Sequence, residues 1–274
     1  MSVGATDFDR QMSLYQVDWR RRCLAVVGNG QQNGVSRDWI LPPDEWEQAL
    51  WPEIRKNTQD SLAAYLAKSG VTKHTGVHNL KSSWTLCANL YFPFGRTVEG
   101  RSLLAGFLRD HVNDTIESVE HVELEFADDS ADLRPDRLLG EAGGSRGSGQ
   151  TSPDLAFVVN GGRGLVLTEN KFVEHSFYAC SAKRAVGKPG REANPDPSRC
   201  WNAAAVAGDP LNQCHQAAWG REYWNILAPV VDQDRLVSLS RCPASSAGYQ
   251  LLRQQALAEG IARAVITHPP CGGV

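Results

Sequence analysis

Two carboxylates and an ammonium in one short stretch could do chemistry together: Asp154, Glu169 and Lys171. Asp154 precedes the apolar run 155–159, Glu169 closely follows the run 165–167, and Asn160-Gly161-Gly162-Arg163-Gly164 lies between the runs. A Gly-Gly pair between apolar runs predicts a hairpin, because glycine tolerates the positive φ angles of tight primed turns. With Gly161-Gly162 as the turn, the numbers of every facing pair add to 323 and Asp154 faces Glu169. A four-residue loop over 160–163 keeps this register; a bulge would not. Opposed residues hold their Cβ atoms about 4.5–5.5 Å apart, and two carboxylates at that range repel unless a proton or a cation lies between them. A divalent metal is the natural filler. Lys171, two residues beyond Glu169, emerges on the same face of the strand, which sets an ammonium beside a metal-bound water or a scissile phosphate. The competing reading makes Asp154 and Lys171 solvated hairpin-edge charges, with Glu169 paired to Lys171.

The elements that must position these groups are written in the periodicity. Strict alternation over 122–126 predicts a half-buried strand with Val122, Leu124 and Phe126 on one face and Glu123 and Glu125 on the other. It lies in a stretch, 111–142, with ten acids against two bases. Helical spacing predicts a helix over 44–69 stopped by Gly70, a second over 82–91 ended by Pro93, and a third over 101–112. Further helices are expected over 212–227 and 249–264, followed by a short strand over 264–267. Residues 140–150 read as a flexible loop and 185–210 as a long excursion.

Pro153-Asp154, a gap of 14 residues and then Glu169-Asn170-Lys171 resembles the PD-(D/E)XK nuclease superfamily, the restriction-endonuclease-like fold. Pro135-Asp136 is a chance copy of the first half of the pattern. Leu80-Lys81-Ser82-Ser83-Trp84, Cys87-Ala88-Asn89-Leu90-Tyr91, Thr151-Ser152-Pro153-Asp154, Glu169 to Glu174 and the stretch 249–260 are similar to one bacterial branch of it. The resemblance implies an α/β fold with an αβββαβ core, a central mixed sheet flanked by helices, and Mg²⁺-dependent cleavage of DNA phosphodiester bonds, with Mn²⁺ as a substitute. Asp154 and Glu169 would hold the metal and Lys171 would complete the catalytic set. The superfamily often adds an acid from the helix before the sheet, and 82–91 has none. Glu125, slightly favoured over Glu123, is the expected substitute, reachable only through a twist, bulge or strand end. In the resemblance the late helix flanks the active site, so Gln250 touches the lysine or the phosphate; a structural role at the helix start is the alternative.

The chain of 274 residues carries 28 basic and 31 acidic residues and is 42% hydrophobic, which excludes disorder, collagen and coiled coil. One nuclease-like domain over 1–274 is expected, with a helical extension over 1–78 and the catalytic core over 79–274. No apolar run reaches the roughly 20 residues of a membrane span, and 1–10 lacks a secretory layout, so a cytoplasmic protein without membrane contact is expected. The net charge of −3 does not decide nucleic-acid binding, which depends on local basic surface. Arg20-Arg21-Arg22, Lys81, and seven bases against four acids over 160–200, Lys183 and Arg184 among them, are the candidate contacts to DNA. The oligomeric state is open, with a homodimer as one reading.

Cys180, Cys200, Cys214 and His215 could ligate zinc or, with another cysteine, an iron–sulfur cluster. Their intervals contain no Cys-x-x-Cys knuckle, which favours ordinary reduced thiols. A serine or cysteine hydrolase lacks its motif here. The alternatives to an enzyme are a catalytically degenerate nucleic-acid-binding domain and a zinc-stabilised interaction domain.

Overall fold

Alternating and continuous apolar runs build the sheet that carries the hairpin. A computed structural model describes residues 6–55, 60–184, 187 and 191–267. Three antiparallel strands, β1 (Val119–Leu124), β2 (Leu155–Val159) and β3 (Gly164–Thr168), pair in that order. The middle strand has no polar residue and is buried along nearly its whole length, the pattern of a strand covered on both faces. Within the hairpin, Leu155 pairs with Thr168 and Val159 with Gly164. This is the register read from the sequence, closed by the four-residue loop 160–163. A register shift between Val119 and His121 marks an irregularity near the start of β1.

The chain forms two compact units. The first joins Met1–Phe126 to Ser145–Ser148 and Pro153–His175 and contains this sheet. Helices α1 (Asp7–Cys23), α2 (Leu62–Ser69), α3 (Ser83–Gly95) and α4 (Val98–His111) belong to it. Side chains of Thr6, Ser61, Ser82 and Thr97 cap their N-termini. α3 and α4 pack on β1, and one core gathers Trp84, Phe92, Leu104, Leu108, Leu124, Leu155 and Phe157.

The second unit holds Ala127–Gly144, Gly149–Ser152 and Ser176–Val274. Its longest element is α5 (Tyr249–Thr267), on which the short helices Pro135–Leu139, Tyr223–Leu227 and Pro243–Ser246 pack.

Several boundaries differ from the sequence reading. The helix expected over 44–69 is a 3₁₀ segment Pro43–Ala49, a turn of helix Pro52–Arg55 and α2, because Pro52 lacks the N–H that would continue the ladder. α3 runs through Pro93 to Gly95; close to a helix end that proline costs a single intrahelical bond. Residues 210–227 form three short helices rather than one, with Gly220 at φ 72° before the third. The expected strand 264–267 is the last turn of α5. The sheets among the described residues are antiparallel rather than mixed, so the fold is mixed α/β without the full αβββαβ order there.

Candidate active site

The acids sit where β1, β2 and β3 end together. The ladder between β1 and β2 continues one step past Leu124 and Leu155: the Glu125 N–H donates to the Asp154 carbonyl at 3.0 Å, and the Phe126 N–H donates to that of Pro153 at 2.9 Å. Glu125 adopts a φ of 49°, a left-handed conformation that costs a non-glycine residue free energy. It turns a carboxylate that simple alternation would leave on the outer face into a buried position.

Arg146 holds this turn. Its guanidinium, 10% exposed, donates to the carbonyls of Leu124 at 2.9 Å and Glu125 at 3.2 Å and pairs with Glu123 at 2.9 Å. Glu123 is therefore the partner of Arg146, and Glu125 is the acid that faces Asp154. The adjoining Gly147 (φ 79°) lies so close that an added Cβ would meet the Thr72 carbonyl at 2.9 Å and the Glu125 side chain at 3.2 Å. The stretch 140–150, expected as a flexible loop, thus carries an anchored segment.

Asp154 accepts a hydrogen bond from the Asn170 N–H at 2.8 Å, which ties the two ends of the hairpin. The Glu169 side chain is 2% exposed, and Lys171 Nζ donates to it at 2.5 Å. Burial pushes the Glu125 carboxyl up to about 8, helped by the charges of Asp154 and Glu169; the Trp84 N–H and Arg146 pull it down. Burial, followed by the charge of Glu169, raises Asp154 to about 7, against the opposing Asn170 N–H and Lys171. Glu125 and Asp154, raised in this way, resist ionising together without added positive charge.

α3 closes the site without an acid. Its Cys87 accepts a hydrogen bond from Asn170 Nδ2 at 3.3 Å, and burial together with Asp154, Glu125 and Glu169 holds the thiol well above its ordinary range. Ser83 donates to Glu174 at 2.8 Å, and Glu174 also accepts from the Phe172 N–H at 2.9 Å. α1 reaches the same strand end through Phe8, whose ring meets Phe172 edge-on at 6.1 Å.

The donor set suits a hard divalent cation, which takes carboxylate oxygens. Among the described residues no three His, Cys, Asp or Glu side chains are placed to hold one ion as they stand. Mg²⁺ is commonly held by one or two carboxylates with water and substrate oxygens, and Asp154 and Glu169 are the two carboxylates that could serve in this way.

The family model described as REase-ARP, Restriction Endonuclease associating with ARP, matches residues 12–269. The chain belongs to this family. No curated protein and no solved structure matches it.

The remaining residues expected at the site belong to other elements of this family member. Gln250 is in the second unit, at the start of α5, where its N–H donates to the Phe177 carbonyl at 3.0 Å. Lys81, expected to contact DNA, is buried; its ammonium bonds Asp9 at 2.6 Å and Ser13 at 2.8 Å and lies over the Trp39 ring at 4.3 Å. That corrects its assignment, since the charge is turned inward. Arg20 is likewise buried, donating to Asn29 and to the Asp38 carbonyl. Lys183 donates to the Ser245 carbonyl at 2.5 Å, and Arg184 is exposed. Lys188 lies outside the described residues. Pro135-Asp136 begins a helix, with Asp136 paired to Arg134 at 2.5 Å, so it has no facing acid in a hairpin.

Sequence reasoning missed Arg146, Gly147, Cys87 and Asn170. Asn170 lies inside the motif, and its side-chain role was accessible there. Nothing local to Arg146 announces a partner on a strand more than twenty residues away.

Proposed function

We propose that this family member is a metal-dependent endonuclease of restriction or defence type that hydrolyses DNA phosphodiester bonds. The observation that carries the reading is the half-buried pair Asp154 and Glu169 at one end of a hairpin, with Lys171 at 2.5 Å from Glu169 and Glu125 beside them. A family of restriction-endonuclease description gives this geometry its context. Mg²⁺, or Mn²⁺ in its place, would be held by Asp154 and Glu169 and would polarise the scissile phosphate. Lys171 orients the attacking water and offsets charge that develops on the phosphate. Glu125, protonated at neutral pH without a cation, holds or releases a proton at its carboxyl next to Asp154.

DNA needs basic surface near the acids. In the first unit an open cleft is lined by Lys68, by Arg96 paired with Asp60, and by Arg146 paired with Glu123, and Arg146 also bonds the Glu125 carbonyl. Lys68 is exposed and is the natural phosphate contact there. A cytoplasmic setting is part of this reading, supported by the free thiols among the described cysteines. Lys183 and Arg184 remain candidates to contact DNA, and Gln250 a candidate to touch the lysine or the phosphate.

Purified protein with Mg²⁺ or Mn²⁺ nicks or cuts DNA, and Lys171→Ala abolishes the cleavage while circular dichroism shows the fold retained. Cleavage by that folded variant at the level of the parent overturns the assignment. The direct Lys171–Glu169 ion pair favours a second reading, a scaffold that binds DNA without turnover. Calorimetry separates the two, because the enzyme binds a divalent ion through Asp154 and Glu169 and the scaffold does not.

A further inference from the structure

Four of the seven cysteines reach one small cavity in the second unit: Cys180, Cys200, Cys214 and Cys242. They come from four separate segments. Cys180 precedes the 3₁₀ turn Ser181–Lys183, Cys200 lies in the turn Pro197–Trp201, Cys214 stands between two short helices, and Cys242 caps the helix Pro243–Ser246. Backbone bonds hold the segments together: the Cys242 N–H donates to the Cys200 carbonyl at 2.8 Å, and the Cys180 N–H donates to that of Ala244 at 2.7 Å. None of the four is in a disulfide.

Cysteine is often a plain small apolar core residue, and one or two here would need no further account. Four converging on one void from four short segments do. The helices around them span four to six residues, too short to persist by their own hydrogen bonds. A metal that ties such segments together contributes folding free energy directly. Support for the sulfurs is also present: Gln216 Nε2 donates to Cys180 Sγ at 3.0 Å, the kind of hydrogen bond that tunes and orients thiolate ligands. His215 lines the same cavity, with its Nε2 at 3.1 Å from the Glu192 carbonyl, so its outer nitrogen is engaged with backbone.

We propose that Cys180, Cys200, Cys214 and Cys242 form a four-thiolate site for a thiophilic metal centre, a single zinc or an iron–sulfur cluster. Each thiol releases its proton to solvent as the metal binds. A tetrahedral zinc with Zn–S bonds of about 2.3 Å draws its sulfurs to roughly 3.8 Å from one another. As they stand, no three of these groups surround one point in that way. A cluster, in which each thiolate takes its own iron, accommodates a wider spread. This site is independent of the nuclease reading, because all four residues lie in the second unit and outside the carboxylate site.

The full chain is purified without oxygen, and zinc, iron and acid-labile sulfide are measured. The site predicts either about one zinc per chain or iron and sulfide in equal amounts with a broad visible absorption band. The double variant Cys214→Ser/Cys242→Ser loses that metal, whereas Cys23→Ser keeps it. X-ray absorption at the metal edge of the unaltered protein, which does not depend on any variant folding, shows an all-sulfur ligand shell. A chain free of both metals that also fails to take up zinc, or iron with sulfide, overturns the proposal. So does a metal with an oxygen and nitrogen shell, or one retained in full by the folded double variant.

Discussion

Glu125 and Asp154 are joined through the backbone, the Glu125 N–H donating to the Asp154 carbonyl at 3.0 Å, and the charge of Asp154 adds to burial in raising the Glu125 carboxyl. The left-handed φ of 49° at Glu125 sends its side chain to the acids rather than along the outer face. The pairing of Glu123 with Arg146 removes the other candidate acid from the site.

Those two carboxylates are therefore unequal. Glu125→Gln lowers Mg²⁺ affinity and cleavage at least tenfold, about 1.4 kcal/mol in binding terms, and leaves the strand intact. Glu123→Gln weakens the hold of Arg146 and lowers stability by about 1 kcal/mol, with a smaller effect on the metal. Isothermal titration and thermal unfolding of both variants test this. Equal, mild effects would mean that neither acid serves the site.

The raised carboxyls give a definite pH dependence in chelated protein. Both Glu125, at about 8, and Asp154, at about 7, lie above their unfolded values, so between about pH 4 and pH 8 the folded state binds more protons than the unfolded state. Stability then falls as pH rises through that window, and the loss is complete above it. Glu125→Gln removes about half of this slope, leaving the Asp154 share, and raises stability at pH 8 by a few kcal/mol, on the order of 1.4 kcal/mol per pKa unit. Unfolding midpoints measured from pH 5 to pH 9 in chelator check the sign.

Lys171 is more than a chemical group, because Glu169 is 2% exposed and bonds to it. Lys171→Ala leaves a buried carboxylate without that partner and destabilises metal-free protein by about 3 kcal/mol. The double variant Lys171→Ala/Glu169→Gln recovers most of that loss but no cleavage. A double-mutant cycle in denaturant that gave additive effects would show the ion pair to be energetically idle.

Gly147→Ala tests the anchored loop. Its φ of 79° and the approach to the Thr72 carbonyl at 2.9 Å predict a loss of about 2 kcal/mol, read as a lower denaturant midpoint. Cleavage falls more than stability alone explains if Glu125 is displaced.

The two lysines should separate cleanly in DNA binding. Lys68→Ala, in the open cleft, weakens binding across sequences and reduces the salt slope by about one. Lys81→Ala, with its ammonium buried against Asp9, lowers stability and leaves the salt slope unchanged. Titrations at several salt concentrations give both slopes.

The sequence alone determined the hairpin and its register, because a Gly-Gly turn between apolar runs is a local signal and a one-residue slip would invert every buried side chain. It also set Asp154 opposite Glu169, named Glu125 as the acid to watch, and supplied the helix caps Ser82 and Gly70. α1 was not legible, since its sequence is mostly polar and two of its apolar side chains, Trp19 and Phe8, find partners far along the chain. Only the tertiary structure decided that Arg146 would cross from a glycine-rich stretch to turn Glu125 inward and that Lys81 and Arg20 would be buried. It alone brought four widely spaced cysteines to one cavity. Each of these depends on contacts between residues distant in sequence, where local propensity and periodicity carry no information.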